Sequence, residues 1–250
     1  MKLLQDRIAV ITGASRERGM GLATARLFAE HGARVALLDL YADEAAAAAA
    51  QLGPQHLGLA CDVSDAAACQ AAIAAVLARL GPVDVLVNNA GITQRRGVME
   101  ISGQDYALVT DVVLRGTLQM SQAVIPGMRL RRSGSIVCVS SMSAQQGGGV
   151  FGGAHYCAAK AAVLGLVRAM ARELGPDNVR ANAVAPGLIL TDFSRGQNSD
   201  GNKHVLGKTF PLGRVGQPAD VAGACLYLAS DLAAFVTGAT LDVNGGAYMR

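Results

Sequence analysis

Short apolar runs alternate along the whole chain with longer segments of helical periodicity. That alternation restricts the possible folds more than any other feature. Seven runs read as strands: residues 8–12, 34–39, 56–61, 83–88, 135–140, 179–184 and 239–243. Helical segments fill most of the gaps between them. Strands separated by helices build βαβ units, whose strands lie parallel and whose helices cover both sheet faces. Right-handed crossovers leave few topologies, chiefly a doubly wound one. The expected fold is therefore α/β, with a seven-stranded parallel sheet and helices on both faces. Nothing in the 250 residues resembles an interdomain linker or a repeat, so residues 1–250 read as one domain. The run "EAAAAAAQLG" (44–53) is alanine-rich. Alanine has the best helix propensity, so it reads as a thin helix lying close to the sheet.

Composition removes several function classes. Hydrophobic residues make up 51% and charged residues 16%, as in a well-buried globular protein. The net charge of +3 is spread out, and the basic clusters "TQRR" and "RLRR" are short. A nucleic-acid footprint needs a wider basic stripe. No apolar run reaches the roughly 18 residues that span a membrane. The start, "MKLLQDRIAV", lacks the pattern of a signal peptide. Five cysteines, odd in number and without a CxxC spacing, argue against a disulfide framework or a zinc site. The expectation is a cytoplasmic protein with a small-molecule partner and no metal, nucleic acid or membrane.

The stretch "TGASRERGMG" (12–21) follows the first strand and opens a helix. Glycines there let the backbone approach a pyrophosphate, and the helix N-terminus attracts its charge. Asp39 ends the second strand, where a carboxylate can accept hydrogen bonds from adenosine ribose hydroxyls. It would repel a 2′-phosphate of about −1.5 to −2 charges. Arg16 and Arg18 compete with that signal. Either they bind such a phosphate, or with Glu17 they form the solvated tip of a lengthened loop. Asp39 is fixed by its strand, so NAD is expected and NADP is the lesser alternative.

In "YCAAK", Tyr156 and Lys160 are four residues apart, on one face of a helix. A free tyrosine has a pKa near ~10. Acid/base work near neutrality needs it lowered by roughly three units. An ammonium about 4 Å away at an effective dielectric near 20 supplies about that much.

"DVLVNNAGI" and "GSIVCVSSMSAQQGGG" precede this pair, and "VRANAVAPGLILTD" follows it. With "ITGAS" near the start and "VTGATLDVNGG" near the end, they make the chain resemble the short-chain dehydrogenase/reductase family over essentially its whole length. The resemblance implies a single Rossmann-type domain using NAD(H) or NADP(H). It implies that Gly13, Gly19 and Gly21 form the glycine turn, with Ser15, Arg16 and Met20 beside the cofactor. Asp39 matches the position that selects NAD. Asp62, beside Val63, matches the residue that meets the adenine ring. Asn89, Ala90 and Gly91 match the motif next to the cofactor. Pro186, Gly187 and Ile189 lead to Thr191, which matches the residue that hydrogen-bonds the carboxamide. Tyr156 matches the catalytic acid/base, and Lys160 the residue that lowers its pKa and holds the nicotinamide ribose.

Two serines compete for the substrate oxygen. Ser141 matches by its place at a strand end, and Ser143 by its thirteen-residue distance from Tyr156. Ser141 is preferred, because a strand end is fixed whereas "AQQGGGVFGG" can absorb two extra residues. Ser140 is expected to be structural.

The chain departs from the family pattern twice. Its glycine turn is two residues longer than usual, which is similar to the enoyl reductases. Those typically space Tyr and Lys seven apart, so the spacing of four favours carbonyl reduction. The family asparagine of "VNLxG" is replaced by Val113 in "VVLRG". That asparagine shapes a helix kink whose main chain holds a proton-relay water, and valine cannot supply the amide.

The resemblance thus implies an oxidoreductase interconverting a secondary alcohol and a ketone, with Ser141, Tyr156 and Lys160 as catalytic residues. The alternative is a cofactor-binding regulatory protein with weak turnover, on account of Val113. Secondary alcohols, polyols and 3-oxoacyl thioesters remain open as substrates. Residues 185–218, rich in Gly, Ser, Asn and Asp, read as a substrate-binding loop. Arg95 and Arg96 either meet an acidic substrate or belong to a solvated loop. His155 either reaches the site or is capped. The family is commonly tetrameric, so a homotetramer is expected, with a dimer as the alternative. The expected contacts are the helices around 104–131 and 156–174 and the C-terminal segment.

Overall fold

The computed structural model describes residues 2–148, 152–193 and 199–249. Seven strands form within them: β1 (Ile8–Thr12), β2 (Arg34–Asp39), β3 (Leu57–Ala60), β4 (Val85–Asn88), β5 (Gly134–Val139), β6 (Val179–Pro186) and β7 (Thr240–Val243). The helices are α1 (Met20–Glu30), α2 (Ala42–Leu52), α3 (Ala66–Arg79), α4 (Gly103–Thr110), α5 (Gly116–Arg131), α6 (Ser143–Gln146), α7 (Ala154–Leu174), α8 (Asp200–Gly207) and α9 (Pro218–Ala229). The strands pair in the order β3-β2-β1-β4-β5-β6-β7, and every pairing is parallel. The expected doubly wound sheet is present. Its direction of growth reverses between β1 and β4, which opens a crevice beyond their carboxyl ends.

Parallel strands buried on both faces are apolar throughout rather than alternating. In β1, Ile8 and Val10 face a cluster built with α3, α5 and α7. Ala9 and Ile11 face a second cluster built with α1, α2 and α9. The alanine-rich run is a helix that lies close to the sheet, as expected. Ala45, Ala48 and Ala49 of α2 are buried, and Gly58 of β3 packs directly on the Ala45 carbonyl, where a Cβ has no room.

The strand ends shift slightly from the sequence reading. β6 runs two residues further, because Ala185 and Pro186 pair with Asp242 and Val243. β4 starts two residues later. Ahead of it, the Asp84 carboxylate accepts the Ile8 N–H at 2.9 Å and ties the strand entrance to β1. Between α4 and α5 the backbone widens into a π-helical turn, Asp111–Arg115.

Candidate active site

The glycine turn and "NNAG" form one locked unit at the ends of β1 and β4. Asn89 Nδ2 donates to the carbonyls of Thr12 and Gly13, both at 2.9 Å. Thr12 Oγ1 accepts the N–H groups of Asn89 and Ala90, both at 3.0 Å. Gly13 has φ +63°, and a Cβ there would meet the Ala90 Cα at 2.8 Å. Only glycine satisfies both demands. α1 starts at Met20 with Gly19 as N-cap, no side-chain cap and no acidic residue in its first turn. Its orphan N–H groups and positive dipole end meet no acidic side chain of the helix's own first turn.

Asp39 stands at the end of β2 against this turn. Its Oδ2 accepts both the N–H of Ser15 at 2.9 Å and the Ser15 hydroxyl at 2.8 Å. Its Oδ1 accepts the Leu40 N–H at 2.8 Å. Arg16 is exposed. Arg18 points away, to Asp192 and Asp200. Asp62 is exposed and accepts from the backbone and hydroxyl of Ser64. Val63 beside it is buried, pressed on Gly116.

Tyr156 and Lys160 lie on the buried face of α7. The Ser141 side chain hydrogen-bonds Tyr156. Ser143 opens α6, and its N–H donates to Ser141 Oγ at 3.1 Å. Ser140 has the structural place expected of it, since its hydroxyl donates to the Lys160 carbonyl at 2.8 Å in the core. Lys160 Nζ donates to the Val139 carbonyl at 2.6 Å and lies 5.9 Å from the centre of the Tyr156 ring.

The expected lowering of the Tyr156 pKa is not met here. Burial pushes the phenol up to about 12, and the Ser141 hydrogen bond offsets only part of that. Burial pulls Lys160 down to about 8, against a smaller opposing contribution from Cys138. Spacing alone gave the attraction between the two groups and not the loss of water around each.

Val113 is buried within the π-helical turn. The turn therefore forms without an asparagine amide. The Val113 carbonyl accepts the Thr117 hydroxyl at 2.7 Å. A Cβ on Gly91 would lie 3.5 Å from Lys160 Nζ and 3.8 Å from the Val113 side chain, so all three residues border one space.

β6 delivers the remaining expected residues. Gly187 packs so tightly on Asn244 that a Cβ would sit 2.7 Å from that side chain. Ile189 forms a bridge with Gly216. Thr191 is buried, and its hydroxyl accepts the Phe193 N–H at 3.3 Å. Two packing contacts of the Tyr156 ring have no local signal in the sequence. Phe193 packs on Tyr156 with ring centres 6.2 Å apart. Gly152 lies against the same ring, where a Cβ would meet Cδ1 at 2.6 Å. His155 is capped: its Nε2 pairs with Gln94 Oε1 at 3.0 Å. Five residues of the substrate loop, 194–198, lie outside the described residues.

Comparison with known proteins agrees with the fold. A family profile described as "Enoyl-(Acyl carrier protein) reductase" matches residues 13–248. The chain is 54% identical over 248 residues to a short-chain type dehydrogenase/reductase, y4mP, of Sinorhizobium fredii, with 98% of each chain covered. It is 40% identical over 246 residues to the 3-oxoacyl-[acyl-carrier-protein] reductase FabG of Vibrio harveyi, covering 98% of this chain and 99% of that one. The crystal structure of 3-oxoacyl-[acyl-carrier protein] reductase from Brucella melitensis superposes with a TM-score of 0.90 at 38% identity. That match covers 100% of this chain and 94% of the other.

Proposed function

The chain belongs to the short-chain dehydrogenase/reductase family, and we propose that it is a nicotinamide-dependent enzyme that interconverts a secondary alcohol and a ketone. The observation that carries this reading is the meeting of Ser141, Tyr156 and Lys160 beside Gly91. The chain's residues fit a dinucleotide. The glycine turn and the uncapped start of α1 suit its pyrophosphate, with Ser15, Arg16, Gly19, Met20 and Gly21 around it. Asp62 and Val63 would border the adenine, and Asn89, Ala90 and Gly91 the ring beyond. Pro186, Gly187, Ile189 and Thr191 would border the carboxamide end.

A bound nicotinamide would supply or take up the hydride. The protein's part is orientation and proton transfer. In reduction, Tyr156 gives its phenolic proton to the ketone oxygen while Ser141 holds that oxygen by a hydrogen bond. At neutral pH the phenol is protonated, the state from which a general acid starts, although burial holds its pKa above the range that favours proton transfer. Lys160 steadies the phenolate that remains. Oxidation runs the same steps in reverse.

NAD is favoured over NADP. The donors to Asp39 are neutral groups, so its charge still opposes a 2′-phosphate. Arg18 is engaged elsewhere. The Tyr–Lys spacing of four favours carbonyl over double-bond reduction, and the likeness to a 3-oxoacyl reductase supports a 3-oxoacyl thioester as substrate. The regulatory alternative loses support because the π-helical turn survives with Val113. Membership of a family that is commonly tetrameric favours a homotetramer, in which exposed Val98, Met99, Leu130 and Phe235 are apolar side chains available for subunit contacts. A reducing cytoplasm suits the five free cysteines. Mixing the purified protein with NADH or NADPH and a set of 3-oxoacyl thioesters, ketones and polyol-derived ketoses tests the reading. No turnover of any of them, with cofactor binding intact, would contradict it.

A further inference from the structure

The lengthened glycine turn carries Arg18, whose guanidinium leaves the turn altogether. One nitrogen lies 3.2 Å from Asp192, and the other donates to Asp200 at 2.6 Å. Asp192 follows Thr191 in the chain, and Asp200 opens α8. Asp200 also lies 3.6 Å from Lys203 Nζ, nearly one helical turn on. Lys203 is 3% exposed, and its Nζ donates to the Thr191 carbonyl at 2.7 Å. A buried ammonium is costly unless a counter-charge and hydrogen bonds offset it. Here Asp200 supplies the charge and Thr191 the carbonyl. The proton-transfer steps use neither Arg18 nor Lys203.

We propose that Arg18, Asp200 and Lys203 are positioning residues that tie the pyrophosphate turn to the backbone of Thr191. The tie rests on the dinucleotide reading above. It runs from the middle of the cofactor to its nicotinamide end through protein alone. Arg18 sits in the turn that faces the pyrophosphate. Asp200 shares its charge between Arg18 and Lys203, which sets α8. Lys203 fixes the Thr191 carbonyl, and with it the direction in which Thr191 presents its hydroxyl. Arg18 also holds Asp200 below the usual carboxylate range, chiefly through their hydrogen bond. Arg18 thus serves the nicotinamide end of the site from its place in the lengthened turn beside the pyrophosphate.

Binding without catalysis tests this. The wild-type protein, Arg18→Gln and Lys203→Met are each titrated with NADH and with ADP-ribose, which lacks the nicotinamide. Thr191 faces only the nicotinamide part. The ratio of NADH affinity to ADP-ribose affinity should therefore fall in both variants, by roughly fivefold or more, the lower range of site-to-site coupling. The double variant should lose little beyond the worse single one. A simple loss of positive charge near the pyrophosphate would weaken both ligands alike, and that result overturns the tie. Exposed ion pairs contribute little to stability, so Arg18→Gln should melt close to wild type. It decides the matter even if Lys203→Met does not fold. A wild-type ratio in Arg18→Gln also overturns the tie. Failure of the wild-type protein to bind either ligand would instead remove the dinucleotide reading on which it rests.

Discussion

Burial moves Tyr156 and Lys160 in opposite directions, up to about 12 and down to about 8. The reductive direction needs a protonated phenol and a charged ammonium together. Lys160 loses its proton as pH rises through about 8, while Tyr156 keeps its own well beyond. Ketone reduction should therefore be level near neutrality and fall above about pH 8. A rate that climbs through that range would contradict the assignment. Tyr156→Phe should lower kcat by at least about a hundredfold, the lower end for a lost general acid, with NADH binding kept. Ser141→Ala should be severely impaired and Ser143→Ala nearly normal. The reverse order would move the substrate oxygen to Ser143. Tyr156, Lys160 and the glycines were legible because each belongs to a short local pattern. Neither the bond from Lys160 to the Val139 carbonyl nor the partners of Arg18 had such a pattern. Arg18 and Asp200 are 182 residues apart, and only the fold brings them together.

At the scale of elements, the π-helical turn Asp111–Arg115 forms around Val113. The backbone feature attributed to an asparagine is thus held by the surrounding packing. Val113→Asn should accordingly change kcat by less than about twofold, under half a kcal/mol in barrier. A large gain would show that the valine limits turnover. The contact of α2 with β3 makes a separate demand. Gly58→Ala has no space for its Cβ, so urea unfolding should show a loss of about 1–3 kcal/mol, typical of overpacking. Strands and helices were legible from periodicity. Their ends were less so, since pairing partners set them: β6 lengthens because β7 offers Asp242 and Val243. The width of the helix at Val113 left no mark in the residues themselves.

For the whole molecule, the order of strand and helix segments carried the topology, because parallel strands with right-handed crossovers admit few arrangements. Assembly is a different matter. Phe235 and Met99 are essentially fully exposed, and Leu130 nearly so, in one chain. Such side chains on a chain that is 51% hydrophobic suit subunit contacts. Sedimentation should give a particle of four chains, and a single-chain mass would contradict the proposed tetramer. The central claim is carbonyl chemistry run by Tyr156 with a nicotinamide dinucleotide, and one measurement reaches it most directly. NADH consumption is followed with a 3-oxoacyl thioester or simple ketone for the wild-type protein and for Tyr156→Phe. Expected is turnover by the wild type and almost none by the variant, both binding NADH equally. Equal turnover by the two proteins, or none by a wild type that binds NADH, would contradict it.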